Sequence, residues 1–234
     1  MTELCVIARI RTDFPEKFGL PRQSGIVPEL TGTVVFEEEY RVPDALRGIE
    51  GFSHLWLLWG FSDGFSSRNE RKARWSPTVR PPRLGGNMRM GVFATRSPNR
   101  PNPIGLTVVR LLGVRRDPSL GTVLDVGGID MTDGTPIYDI KPYLPFADAV
   151  GDAVGGFADA LGGDRLRIED PDGVLARLPE EKRGPLVSVL RGDPRPSYRR
   201  DDGEREYGFP YAGFEITFRV RGDTLILCGA KPVG

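Results

Sequence analysis

The chain has 234 residues, 32 of them basic and 32 acidic, so its formal net charge is zero. That length can bury a core in one large domain, or in a large domain with a small partner, without disulfide or metal staples. The neutral balance excludes a uniformly basic nucleic-acid binder, and one histidine (His54) with two distant cysteines (Cys5, Cys228) argues against a zinc site.

In chain order, Leu4 to Ile10 reads as a first strand. The start Met1-Thr2-Glu3-Leu4 carries no apolar signal-peptide core. Cys5 and Cys228 sit in apolar, strand-like contexts and read as reduced, buried thiols of a cytoplasmic protein. Asp13 to Gln23 is polar and irregular, and Pro21-Arg22-Gln23-Ser24-Gly25 reads on its residues as an ordinary turn. Thr33 to Tyr40 alternates and then runs into Glu37-Glu38-Glu39, an exposed strand end. Pro43 to Arg47 fits one helical turn. Phe52 to Trp59 is an apolar central strand, and its His54 reads as a core histidine. Its apolar run, Leu55 to Gly60, is too short to span a bilayer. Ser-His-Asp catalysis would rest on His54 alone, and the chain has no Gly-x-Ser-x-Gly elbow.

Ser62 to Ser76 is a polar insert of mobile-loop composition. From Arg68 to Arg100 there are nine Lys or Arg and one acid, Glu70, a basic surface suited to phosphates. Gly85 to Gly91 ends in no Gly-Lys-Ser/Thr and lacks Gly-x-Gly-x-x-Gly spacing, which excludes a P-loop and a dinucleotide fold. Met88 to Ala94 and Ile104 to Leu112 read as strands around a loop with prolines at 98, 101 and 103. Each proline fixes its own φ and extends its predecessor, so this loop holds its Arg, Ser and Asn side chains in set directions. Thr122 to Ile129 and Ile137 to Ile140 are further strands, with Asp133-Gly134-Thr135-Pro136 a turn between them. Composition shifts to Gly, Ala and Asp over Ala147 to Gly163, which places a domain boundary after residue 148. Pro179 to Arg191 fits a helix that Pro185 should interrupt. Asp193 to Arg200 is a stiff basic and aromatic arm. Phe214 to Val220 and Thr224 to Cys228 form a hairpin about Arg221-Gly222-Asp223. Strands joined by loops, with little helix, indicate a mostly β barrel or sandwich followed by a small α+β domain, 149–234.

Several motifs carry a resemblance: Phe93-Ala94-Thr95-Arg96-Ser97-Pro98, Arg100-Pro101-Asn102-Pro103-Ile104-Gly105, Pro21-Arg22-Gln23, Phe52 to Trp56, Arg80 to Asn87, Asp133 to Pro136, Asp139 to Phe146 and Asp193-Pro194-Arg195-Pro196. Together, and in this order, they resemble the TsaA-like (TrmO) family. The resemblance implies a single-sheeted β-barrel over 1–148 that binds S-adenosylmethionine, and a homodimeric methyltransferase acting on tRNA. It implies cofactor contacts at Pro21, Arg22, Gln23, Ser62, Asp63, Arg96, Leu106, Asp133, Gly134, Thr135 and Pro136. It also implies N6-methylation of a threonylcarbamoyladenosine beside the anticodon, at tRNA position 37. Asp133 is then the candidate proton acceptor. Arg100, Asn102, Lys141, Arg195, Tyr198 and Arg199 are the candidate substrate or tRNA contacts, and no metal is called for. Two other readings stay open on sequence: a module that binds S-adenosylmethionine and RNA without turnover, and a small-molecule methyltransferase of the same fold.

Overall fold

Strand patterning is plainest in the apolar stretch around Trp56. Leu55, Leu57 and Trp59 are buried there, while His54, Trp56 and Leu58 alternate to the outer face. This computed structural model describes residues 4–61, 75–81, 88–161, 165–195 and 204–233. The molecule is mostly β, as expected. In chain order the strands of its first unit are β1 (Ala8–Thr12), β2 (Thr31–Phe36), β3 (His54–Gly60), β4 (Thr78–Val79), β5 (Met90–Gly91), β6 (Ile104–Asp117), β7 (Gly121–Gly127) and β8 (Pro136–Pro142). Six of them close into a ring in the order β1-β2-β7-β6-β3-β8, and every pairing in it is antiparallel. The closing pair β1–β8 has the register Ala8↔Ile137 and Arg9↔Pro136. Ala8, Ile10, Val34, Leu55, Leu57, Val109, Leu124, Val126 and Ile137 fill the interior and are fully buried. A buried aliphatic side chain of this size contributes roughly 1.5–3 kcal/mol.

Several expectations shift. The first strand begins at Ala8, and Leu4 and Cys5 are exposed. Cys228 is half-buried, and burial raises its thiol pKa. His54 is not a core residue: it sits half-exposed on the outer face, with Nδ1 2.9 Å from Ser53 Oγ. The expected strand Met88 to Ala94 shrinks to Met90–Gly91, because Thr95 closes a 3-10 turn over Val92–Ala94. Its amide and its hydroxyl both donate to Val92 O, at 3.1 and 2.9 Å.

The chain divides into two compact units, 1–12 with 23–143, and 13–22 with 144–234. The second division falls between Tyr143 and Leu144. The excursion 13–22 was not expected in the second unit. It belongs there because of its aromatic residues. Phe14 is fully buried with its ring 5.0 Å from that of Tyr211, and Phe18 meets Phe209 edge-on at 6.0 Å. Lys182 Nζ lies 2.5 Å from Asp13 Oδ2. Gly19 has φ +89, and a Cβ there would lie 2.4 Å from the Phe209 ring.

The second unit holds β9 (Arg167–Glu169), the helix Glu180–Arg191, β10 (Tyr207–Tyr211), β11 (Phe214–Arg221) and β12 (Thr224–Pro232), in the sheet order β10-β11-β12-β9. The helix runs through Pro185. Leu186, Val189 and Leu190 bury one face, while Glu181, whose carbonyl loses its helical partner to the proline ring, is exposed. Phe14→Ala should destabilise this unit by about 3–5 kcal/mol. Amide exchange should then quicken in β10 and β11 and stay slow in β3 and β6; uniform quickening would contradict the assignment of the excursion.

Candidate functional site

Antiparallel closure brings particular chain ends to one rim of the ring. The end of β3 pairs with the start of β6 (Gly60↔Ile104), and the start of β8 pairs with β1 (Arg9↔Pro136). The end of β7 meets the start of β2 (Gly127↔Thr31). The rim therefore collects the loop around Gln23, the proline-rich loop Thr95 to Pro103, and the turn Gly128 to Thr135.

The turn is tied down by β1. Gly134 N donates to Ile10 O (2.8 Å), Ile10 N donates to Thr135 O (3.1 Å), and Thr12 N donates to Asp133 Oδ1 (2.9 Å). Thr135 is buried and donates its hydroxyl to Thr132 O at 2.8 Å. Arg9 reaches Gly134 O at 3.2 Å and pairs with Glu37. Asp133 and Gly134 are exposed at the tip.

Across the rim, the exposed Arg96 donates to Gln23 Oε1. A guanidinium has only donors, so Gln23 must turn its oxygen inward and point its NH2 away. Leu106 is exposed on the outer face of β6, two residues into the strand. Pro21 and Arg22 are counted with the second unit. Ser62, Asp63, Tyr198 and Arg199 lie outside the described residues.

Three expected substrate contacts are placed differently. Arg100 folds back on its own loop, donating to Ser97 O (2.8 Å), Val92 O (3.3 Å) and Thr95 O. It braces the proline-rich loop instead of reaching outward. Lys141 is paired with Asp139 at 2.8 Å, and its strand partner is Trp56, near the far end of β3. Five residues of strand put it roughly 16 Å from Pro136 along β8. Arg195 is 4% exposed and grips Asp193 through Nε and Nη2 at 2.9 and 3.0 Å. Asp193 has φ +50, a left-handed conformation that short polar residues tolerate, and the two side chains form a buried ion pair. Asn102 stays exposed at the rim.

Asp130 also lies at this rim, and no local sequence pattern singles it out. Thr107 is 1% exposed and donates its hydroxyl to Asp130 Oδ1 at 2.8 Å, while accepting Trp59 Nε1 at 2.9 Å. Burial pushes the Asp130 carboxyl above the usual carboxylate range, and Thr107, the Ser24 amide and the Arg96 charge pull it back. Gly105 makes the arrangement possible: a Cβ there would lie 2.2 Å from the Trp59 indole. The available signals were an acid ending the apolar run from Val123 and a threonine at an inward-facing position of β6. Among the described residues no group of three His, Cys, Asp or Glu could hold a metal.

The tRNA-methyltransferase O N-terminal domain matches residues 9–149, and the TrmO C-terminal domain matches residues 177–232. The chain belongs to the tRNA-methyltransferase O family. It is 43% identical over 223 residues to the tRNA (adenine(37)-N6)-methyltransferase of Escherichia coli K12, covering 92% of this chain and 90% of that one. It is 40% identical over 217 residues to a putative S-adenosylmethionine-dependent methyltransferase of Pseudomonas aeruginosa, covering 86% and 85%. A crystal structure of TrmO from P. aeruginosa superimposes with a TM-score of 0.78 at 32% identity, over 100% of this chain and 98% of that one.

The placement of Arg100 can be checked directly. Arg100→Met should lower stability by about 1–3 kcal/mol, the size of its lost carbonyl contacts. Thermal unfolding measures it, and an unchanged midpoint would return Arg100 to the pool of outward-facing cations.

Proposed function

We propose that this chain is an S-adenosylmethionine-dependent methyltransferase acting on N6 of adenosine 37 in tRNA, beside the anticodon, and that this adenosine already carries a threonylcarbamoyl group. One observation carries the reading. Residues from three separate signature motifs, Gln23, Arg96 and Asp133 to Pro136, gather on one rim of the closed sheet. The full-length relative from E. coli, named for that reaction, supports it. The ring then works as the barrel expected from the resemblance, with its site at the rim.

The residues present suit the cofactor. Arg96 offers donors only, which fits an amino-acid carboxylate, and the Gln23 NH2 can join it. Leu106 supplies exposed apolar surface for a purine, and the backbone of Gly134 to Pro136 can approach closely. An exposed carboxylate at Asp133 suits a cationic centre. Bound S-adenosylmethionine supplies an electrophilic methyl group on a sulfonium sulfur.

The chain's own task is alignment and proton removal. The N6 lone pair of a threonylcarbamoylated adenine is shared with the ring and a carbonyl, so the nitrogen is a weak nucleophile with an acidic N–H. Alignment can supply several kcal/mol, up to about 7–11 in ideal intramolecular systems. The proton needs an acceptor within hydrogen-bond reach, and Asp133 is the exposed carboxylate on the turn. His54 opens β3 at the end away from this rim. The second unit is proposed to contact the tRNA through Tyr198 and Arg199. The homodimer and the cytoplasmic location follow from the family resemblance, and among the described residues no helix is long and apolar enough to cross a membrane.

The deciding assay incubates the protein with labelled S-adenosylmethionine and bulk tRNA and reads nucleosides by mass spectrometry. A methylated threonylcarbamoyladenosine supports the reading. Cofactor binding without release of S-adenosylhomocysteine would leave a binding module instead. Arg96→Ala should weaken cofactor binding by about 1.5–3 kcal/mol in calorimetry, the worth of a charge-assisted bond. Asp133→Asn keeps the Oδ1 acceptor for Thr12, so tRNA affinity should hold while turnover falls about 10²-fold or more. If turnover falls only as far as cofactor affinity, Asp133 binds and does not take the proton. Arg199→Ala should flatten the salt dependence of tRNA affinity by about one unit of slope; an unchanged slope removes it from the phosphate contacts.

A further inference from the structure

Phe93 is 79% exposed, the most of any large apolar side chain described in the first unit. A lone apolar side chain on a surface is ordinary, but this one is held outward by its backbone. Val92, Phe93 and Ala94 form one 3-10 turn. With three residues per turn, successive side chains diverge by about 120°, so burying Val92 drives Phe93 into solvent. Val92 is pinned in place. Its amide donates to Pro77 O at 2.9 Å, and its carbonyl accepts from Thr95 N, Thr95 Oγ1 and Arg100 Nη2 at 3.1, 2.9 and 3.3 Å. Arg100 Nη2 also donates to Thr95 O. The ring therefore stands in water on a braced turn and adds little to the core. Three residues of chain put its Cα no more than roughly 11 Å from that of Arg96, at the candidate site.

The surroundings are cationic. Residues 71–116 contain no Asp or Glu. Arg80 follows β4, Arg89 precedes β5 and Arg96 follows the turn, and all three are exposed. Trp75 and Met88, beside the same two-stranded ribbon, are exposed as well. A fixed aromatic ring among guanidinium groups, with no acid nearby in the chain, suits a polyanion that carries flat rings, which is a nucleic acid. An acidic peptide would pair the cations and leave the ring face uncovered. A duplex hides its base faces in the stack, so only an unpaired base can cover the ring. We infer that Phe93 is a stacking platform for an unpaired base in the tRNA loop that carries the reacting adenosine. The inference rests on the tRNA reading above. Because the turn is braced before RNA arrives, little ordering of the protein is needed on binding.

The test titrates the full chain with bulk tRNA and with an anticodon stem-loop RNA whose loop bases are replaced one at a time by the fluorescent base 2-aminopurine. Phe93→Ala should weaken tRNA binding about tenfold, the worth of one stacked base. Its unfolding midpoint and its affinity for S-adenosylmethionine should not move; a fall in either comparable to the loss of tRNA affinity overturns the inference. Phe93→Trp should keep tRNA affinity, while Phe93→Leu should lose it as the alanine variant does, because leucine offers apolar surface without a flat face. Wild-type affinity in Phe93→Ala or in Phe93→Leu overturns the inference. In the wild type, 2-aminopurine emission should be quenched on binding at one loop position and restored there by Phe93→Ala; quenching that is the same in both proteins at every position overturns it. The salt dependence of tRNA affinity should keep its slope in Phe93→Ala, since no phosphate contact is lost, and a flattened slope would count against a lost stack. Sedimentation separates out a protein partner: a changed oligomeric state in Phe93→Ala would assign the ring to an interface between copies and overturn the inference. If the wild type binds tRNA through Phe93 but methylates none, the reaction reading fails and the stacking result stands. If it methylates tRNA and Phe93→Ala binds equally well, the inference alone fails. A wild type that binds no tRNA overturns both.

Discussion

The closure between β1 and β8 is the constraint on which the rim depends. Only two residue pairs make it, Ala8↔Ile137 and Arg9↔Pro136, and the chain between them is most of the first unit. A ladder that short would fray if it ended there. It continues through the turn instead: Gly134 N to Ile10 O, Ile10 N to Thr135 O, and finally the Asp133 side chain, which stands in for a strand carbonyl opposite Thr12 N. Asp133 therefore has one oxygen committed to closing the sheet whatever the other does. This explains why the turn carries an aspartate followed by a glycine, which has φ +72 here, followed by a threonine whose hydroxyl is buried against Thr132.

The same closure explains what could and could not be read in advance. Runs of apolar and branched residues marked β3, β6, β7 and the β11–β12 hairpin, and the buried positions within each then follow period two. The turn at Asp133 was legible from its residue types. Asp130 was not, because nothing local distinguishes a half-buried, hydrogen-bonded acid from one that merely ends a strand. Its surroundings are set by Thr107 and Trp59, which are remote in sequence and meet it only after the ring closes. β10 was missed because Tyr207-Gly208-Phe209-Pro210-Tyr211 contains a glycine and a proline, yet it pairs as an edge strand, where a missing amide is tolerated.

Charge counting was the weakest guide. The arginine-rich window suggested a surface of interchangeable cations, but the described arginines divide by their partners. Within the window Arg100 spends its donors on three carbonyls of its own loop and Arg96 stays exposed beside Gln23, while Arg195, in the later basic arm, is buried on Asp193. A guanidinium has five donors in a rigid fork, so it can brace a loop of prolines that has few amides of its own. Arginine is needed in such a loop before any ligand is considered. A lysine could supply the charge of Arg100 but could not hold three carbonyls in that geometry.

The excursion 13–22 makes the core of the second unit depend on a distant stretch of chain. Phe14 and Tyr211 are separated by nearly the whole chain, yet both are fully buried and their rings lie 5.0 Å apart. Contacts of that sequence separation carry a large loop-closure cost and form late. The β11–β12 hairpin and the helix Glu180–Arg191 need only local contacts, but the sheet they build lacks part of its core until residues 13–22 arrive. Residues 13–22 lie in the connection between β1 and β2, so the second unit takes part of its core from a segment inserted in the sequence of the first. The Lys182–Asp13 ion pair and the Gly19 seat against Phe209 then fix the register in which the excursion docks.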